Sequence, residues 1–258
     1  MAGRWSLQGM TALVTGGTRG LGHAIVEELS SLGAIAYTCS RNQKELDECL
    51  KNWKEKGYPV FGSTCDISQQ SERENLIQLV CKQFDGKLHI LVNSAATIIP
   101  KETLNLNAED NSIVIGTNLM TSLNFSQLAH PLLKASGNGS IVFISSCASF
   151  VFVPVHTVYA ATKGAINSLA KNLACEWAND NIRVNAVAPW AMRTSLTEAA
   201  REEAGGEILE ALIQRTPQHR LVEPKEASAA VAFLCFPASS FVTGQVICVD
   251  GGATSYGL

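Results

Sequence analysis

The sequence predicts an α/β domain built on one doubly wound parallel sheet of about seven strands flanked by helices. Three observations carry that expectation. Short apolar, β-rich runs alternate with longer helical patterns through all 258 residues, the pattern of parallel strands joined by right-handed crossovers. A glycine-rich turn, V-T-G-G-T-R-G-L-G at 14–22, stands between the first run and the first helix. No repeat, low-complexity tract or linker-like shift in composition divides the chain, so one domain is expected over 1–258.

The first expected strand is Met10–Thr15, followed by a helix through Leu21–Ser31 that ends at Gly33. Strands at Ile35–Thr38 and Val60–Ser63 bracket a charged amphipathic helix, Gln43–Lys56. A helix from Gln70 to Phe84 leads to Leu88–Val92, and one long helix from about Ala108 to Lys134 leads to Ser140–Ser145. A helix over Thr157–Ala178 precedes Arg183–Ala188. Ser195–Arg215 reads as less regular helix, and Lys225–Phe236 and Gln245–Val249 close the pattern.

Composition narrows the function. Hydrophobic residues make up 46% and charged residues 17%, which suits a deeply buried enzyme core and not a disordered chain. A formal net charge of −3 argues against nucleic acid as the main partner. No apolar run is long enough to span a bilayer. The first residues lack a secretion-signal core and the last are not Ser-Lys-Leu, so a cytoplasmic protein is expected. The eight cysteines show no C-x-x-C and no zinc-like histidine spacing. They read as reduced core residues, with no metal site.

The glycine turn follows a strand and opens a helix, the setting in which backbone approaches a pyrophosphate and helix N–H groups face it. Gly16, Thr18, Arg19, Gly20, Leu21 and Gly22 are the expected contacts. At the end of the second strand an NAD site carries a carboxylate for the ribose 2′-hydroxyl. Here Ser40 and Arg41 stand there instead. Arg19 and Arg41 suit a 2′-phosphate, so NADP(H) is the expected cofactor. Asp66, beside Cys65 at the end of the third strand, is expected to cap the next helix, to accept from an adenine amino group, or both.

Tyr159 and Lys163 lie four apart on one helix face, and Ser146 ends the preceding strand thirteen residues before the tyrosine. A free phenol titrates near 10. A neighbouring lysine and an oxidised nicotinamide would both stabilise its phenolate. Tyr159 is therefore the candidate proton donor to a carbonyl oxygen, Ser146 the hydrogen-bond donor to that oxygen, and Lys163 the ribose-binding cation.

These residues carry a resemblance. Over essentially its whole length the chain is similar to the short-chain dehydrogenases/reductases, through T-G-G-T-R-G-L-G, C-D-I-S, T-N-L at 117–119, the Ser146/Tyr159/Lys163 set, N-I-R-V-N-A-V-A-P at 181–189 and T-G-Q-V-I-C-V-D-G-G. Within that family it most resembles plant tropinone reductases and tropinone-reductase-like proteins, through stretches such as L-A-H-P-L-L-K-A-S and L-A-C-E-W-A-N-D-N-I-R-V-N. The resemblance implies a Rossmann fold and NADPH-dependent reduction of a small, mostly apolar cyclic ketone, tropinone or a related alkaloid ketone. The alternatives are a reductase of terpenoid or other alkaloid carbonyls and a catalytically weak NADP(H)-binding member. It also implies a homodimer or homotetramer built on the long central helices, and a fourth catalytic residue, Asn118, whose carbonyl holds a water linking Lys163 to solvent. Read from the residues alone, Asn118 equally suits polar helix packing.

Further cofactor contacts follow from the same comparison: Asn93, Ser94 and Ala95 after the fourth strand, and Pro189, Trp190, Met192 and Thr194 after the sixth. Two positions depart from the family. Ala96 stands where it has glycine in N-N-A-G, and Trp190 where it has glycine in P-G. The Trp190 indole has four open fates: to crowd the cofactor, to wall the substrate pocket, to swing out to a neighbouring helix, or to pack on a hydrophobic flank. A flap over about 190–215, broken by Gly205-Gly206, is the expected lid. Ile98, Phe150, Phe152, Val153 and Leu196 are the expected apolar lining. His156 either faces the substrate or is a half-exposed residue at a helix start.

Overall fold

The computed structural model describes residues 3–194 and 206–255. Among these, seven strands form one sheet: β1 Thr11–Thr15, β2 Ile35–Ser40, β3 Val60–Thr64, β4 Ile90–Asn93, β5 Gly139–Ile144, β6 Ile182–Pro189 and β7 Val246–Val249. Their order is β3-β2-β1-β4-β5-β6-β7, and every neighbouring pair is parallel. The chain builds outward from β1 to β3, then returns to lay β4 on the other side of β1. That reversal opens a crevice beyond the carboxyl ends of β1 and β4.

Strands β1, β4, β5 and β6 are buried along their whole length, which is why they read as nearly continuous apolar runs. Alternate side chains enter two cores. Leu13, Leu91, Ile141 and Phe143 pack with α3 (Gln70–Gln83), α5 (Thr121–Ser136) and α6 (Thr157–Glu176). Ala12, Val14, Ile90 and Val142 pack with α1 (Gly20–Ser31), α2 (Gln43–Glu55) and α8 (Pro224–Cys235). The doubly wound fold is as expected. A further helix, α7 (Glu207–Arg215), falls within the expected flap, whereas Ser195–Gly205 lies outside the described residues.

Two expectations are corrected. The long helix is three pieces: α4 (Ala108–Ile115), a π-helical turn at Gly116–Met120, and α5. Hydrophobic periodicity cannot register the surplus residue, because α4 and α5 are each helical by pattern. Hydroxyls hold the irregular segment, with Ser122 donating to the Asn118 carbonyl at 2.8 Å and Ser126 to the Ser122 carbonyl at 2.8 Å. The second correction concerns Asp66, which does not cap α3. Gln69 occupies the cap position, and Asp66 accepts from the Ser68 amide at 3.0 Å in the turn before it.

Candidate active site

The glycine turn lies at the carboxyl end of β1 and is clamped by hydroxyls. Gly17 donates its amide to Thr38 Oγ1 at 3.0 Å, and that hydroxyl donates to the Val14 carbonyl at 2.8 Å. Thr18 Oγ1 reaches Ser40 Oγ at 3.1 Å. Close approach explains two of the glycines. A Cβ on Gly17 would lie 2.1 Å from Thr38 Oγ1, and one on Gly22 would lie 2.2 Å from the Gly16 carbonyl oxygen. Leu21 packs its side chain against the core below.

Helix α1 begins at Arg19 without a side-chain cap, leaving its first amides for another acceptor. Arg19 and Arg41 are both exposed beside this turn. An uncapped helix start, backbone that no Cβ can obstruct, and two cations fit a dinucleotide bearing an additional phosphate. Asp66 lies nearby, its carboxyl held below the ordinary range chiefly by the Ser68 amide and, to a lesser degree, by Arg41. Cys65 is buried beside it.

On the other side of the crevice, Thr15 Oγ1 accepts from the Ser94 and Ala95 amides at 3.0 and 3.1 Å, tying the loop after β4 to β1. Asn93 is buried and reaches Ser126 Oγ at 3.5 Å. It thus braces β4 against α5. Ala96 is exposed.

Ser146, Tyr159, Lys163 and Asn118 converge beyond the ends of β4 and β5. Ser146 starts a 3₁₀ turn and accepts from the Ala148 amide at 3.2 Å. Asn167 on α6 fixes that turn by donating to Ser149 Oγ at 2.8 Å. Lys163 is 3% exposed, and its Nζ donates to the Ile144 carbonyl at 2.7 Å. The same Nζ lies 5.4 Å from the centroid of the Tyr159 ring. Burial depresses the Lys163 ammonium to about 8. Burial also pushes the Tyr159 phenol above its ordinary value, opposed by a hydrogen bond with Ser146. The protein alone therefore keeps the phenol protonated, whereas the sequence reading stressed the influences that lower it. The charge of an oxidised nicotinamide belongs to the loaded site.

Asn118 sits in the π-helical turn, 1% exposed. Its Oδ1 accepts from the Thr97 amide at 2.8 Å, and its Nδ2 donates to the Thr97 carbonyl at 2.9 Å and to Thr162 Oγ1 at 3.3 Å. The side chain is thus a strap between the β4 loop and α6, one residue from Lys163. Its main-chain carbonyl is the atom taken by Ser122.

A cleft of about 340 Å³ lies between Phe152 and Pro154 and the α7 residues Glu207, Ile208, Ala211, Leu212 and Arg215. Phe150 and Phe152 are 52% and 77% exposed, and Ile98 and Val153 are half-buried. His156 touches the Pro154 carbonyl through Nδ1, and its ring stands edge-on to Tyr159 at 6.0 Å. Burial lowers its pKa, opposed by the Pro154 carbonyl. Between them Val155 adopts φ +55°, a left-handed conformation costly for a β-branched residue. Leu196 lies outside the described residues.

Of the fates open to Trp190, the side chain combines two, reaching a neighbouring helix and packing on a hydrophobic flank. The indole is 6% exposed and donates to Thr216 Oγ1 at 2.9 Å and to the Leu212 carbonyl at 3.4 Å. It packs with Cys147, Ala188 and Val222. Arg215 stacks over it at 5.8 Å and donates to the Phe152 carbonyl at 3.3 Å. The Trp190 side chain thus supports α7, one wall of the cleft, from behind. Pro189 ends β6 against Val249, Met192 bridges to Val222, and Thr194 lies next to Gly20.

The sequence reading missed Thr15, Gly17, Thr38 and Thr162, which position the turn, the loop and α6. Gly17 carried a signal, as the second glycine of T-G-G. The threonines carried none, because a buried hydroxyl in a strand or helix looks like any other β-branched or small residue.

Known proteins share this fold and much of this sequence. A family model described as enoyl-(acyl carrier protein) reductase matches residues 16–254. A tropinone reductase homolog of Datura stramonium is 58% identical over 255 residues, spanning 98% of this chain and 95% of the relative. A gluconate 5-dehydrogenase of Burkholderia cenocepacia, solved with NADP and tartrate, is 30% identical with a TM-score of 0.91, covering 98% of each chain. An actinorhodin polyketide ketoreductase variant solved with NADPH is 31% identical with a TM-score of 0.90, covering 99% of this chain and 100% of that one.

Proposed function

The chain belongs to the short-chain dehydrogenase/reductase family and is an NADP(H)-binding oxidoreductase of alcohol and carbonyl groups, and we propose that it reduces a small, mostly apolar cyclic ketone of the tropinone or related alkaloid type. The observation that carries this reading is the convergence of Ser146, Tyr159 and Lys163, with an apolar cleft formed where Phe152 and Pro154, from the segment between Ser146 and Tyr159, meet Ile208, Ala211 and Leu212.

Bound NADPH supplies the hydride for the carbonyl carbon. Tyr159 donates its phenolic proton to the carbonyl oxygen, which becomes the product hydroxyl. Ser146 donates a second hydrogen bond to that oxygen and stabilises the negative charge developing on it. Lys163 binds the nicotinamide ribose and lowers the cost of the phenolate left on Tyr159. Asn118 keeps α6 and the β4 loop in register, and its position beside Thr162 suits a water path toward Lys163.

Protein expressed alone should oxidise NADPH when given small cyclic ketones. Tyr159→Phe should lower kcat by about 10²- to 10⁴-fold, with NADPH affinity nearly unchanged. Wild-type protein that binds NADPH but turns over no ketone would sink the reading.

The chain is further proposed to work in the cytoplasm as a homodimer or homotetramer. Ile113, Ile115 and Met120, on α4 and the π-helical turn, are each more than two-fifths exposed and suit burial against a second copy. Light scattering at a single monomeric mass would refute that assembly.

A further inference from the structure

The Arg19 guanidinium has a partner already in place. Its Nε lies 3.3 Å from Glu45 Oε2, in an ion pair between an arginine side chain 71% exposed and a glutamate side chain 32% exposed. Glu45 is in the first turn of α2, and two contacts fix it there. Its amide donates to Asn42 Oδ1 at 3.3 Å, and its Oε1 accepts from Asn42 Nδ2 at 3.0 Å. One turn further along the same face, Cys49 donates its thiol to the Thr18 carbonyl at 3.5 Å, so this face of α2 is packed on the glycine turn.

We propose that Glu45 competes with the 2′-phosphate of NADP(H) for Arg19 and thereby holds the affinity of the site below what its two arginines would give. Asn42 holds Oε1 while Oε2 faces Arg19, which keeps the carboxylate beside the turn. Oε2 accepts no hydrogen bond, so the pair is a charge contact and not an aligned bond. Arg19, being largely exposed, is free to turn from it to a ligand. A bound phosphate would then gain Arg19 only by breaking that ion pair. In an NAD site a carboxylate near the end of the second strand rejects the 2′-phosphate altogether. Here the carboxylate lies one helical turn later and is offset by Arg19 and Arg41, so it moderates binding where the other forbids it. This inference rests on NADP(H) binding and is independent of the ketone proposed above.

The test is direct titration of purified protein with NADPH and with NADH, followed by calorimetry or cofactor fluorescence without any ketone. Glu45→Gln preserves an acceptor for Asn42 Nδ2 and removes the charge. It should tighten NADPH about two- to fivefold, the scale of one exposed ion pair, and leave NADH unchanged. The gain should shrink with added salt and vanish in an Arg19→Ala background. Glu45→Asp, which keeps the charge but withdraws it from Arg19 by one methylene, should give a smaller gain and serves if the glutamine variant folds poorly. Unchanged or weaker NADPH binding, an equal gain for NADH, or a full gain without Arg19 would each overturn the proposal.

Discussion

Lys163 places its Nζ 2.7 Å from the Ile144 carbonyl and 5.4 Å from the centroid of the Tyr159 ring, so one buried cation ties the end of β5 to the phenol above it. Among the described residues only the backbone carbonyl is a hydrogen-bond partner, and a neutral carbonyl does not replace the water the ammonium has lost. That imbalance is the cause of the depressed Lys163 value.

Stability should therefore depend on pH. In the unfolded chain Lys163 keeps its proton up to about 10.5, whereas in the folded chain it gives it up near 8. Between those values the unfolded state binds more protons at this group, so its contribution to stability rises with pH across that window. The buried Cys147 and Cys235 thiols, pushed up by burial, and the Tyr159 phenol act in the opposite sense at the upper end of it. Urea unfolding at pH 7.5, 8.5 and 9.5 in buffers of equal ionic strength, about 0.1 M, should therefore show wild type gaining stability relative to Lys163→Met as pH rises. A difference between the two proteins that does not change with pH would refute the assignment.

Trp190 tests whether the wall of the cleft is held from behind. Trp190→Phe removes the donor to Thr216 and should cost about 1 kcal/mol. Trp190→Gly empties the site and should cost about 3–5 kcal/mol. The glycine variant should also raise KM for small ketones more than it lowers kcat. A lower KM would mean that the indole obstructs the substrate.

The glycine turn makes a sharper claim. Gly22→Ala sets a methyl against the Gly16 carbonyl oxygen, and neither backbone segment can move without disturbing β1 or α1. NADPH binding should fall by about tenfold or more, and the thermal midpoint should fall with it. Binding within error of wild type would contradict the close approach.

Cofactor choice depends on the two cations. Arg19→Ala combined with Arg41→Ala should weaken NADPH by about a hundredfold, from two charge-assisted contacts, while NADH changes little. Equal losses in a fluorescence titration would remove the 2′-phosphate from this corner.

The sheet was legible because β1, β4, β5 and β6 are buried on both faces, and that burial writes itself as apolar runs. Tyr159, Lys163 and Ser146 were legible because a helix repeats on one face every fourth residue. Trp190 was not, since its fate depends on Thr216 and Leu212, more than twenty residues away and brought near only by α7. The π-helical turn escaped notice because no single residue type marks it. Glu45 is one of several acids in α2, and only the fold brings it to Arg19.

That turn also bears on how the long helix can be altered. Each residue of an α-helix advances its face by about 100°. A designer who deleted the surplus residue would remove the bulge and leave α4 on its present face, whereas one who straightened 108–136 into α-helix with every residue kept would rotate all of α4, Ile113 and Ile115 included, by that angle relative to α5. The outer surface would be rewritten without a single substitution on it.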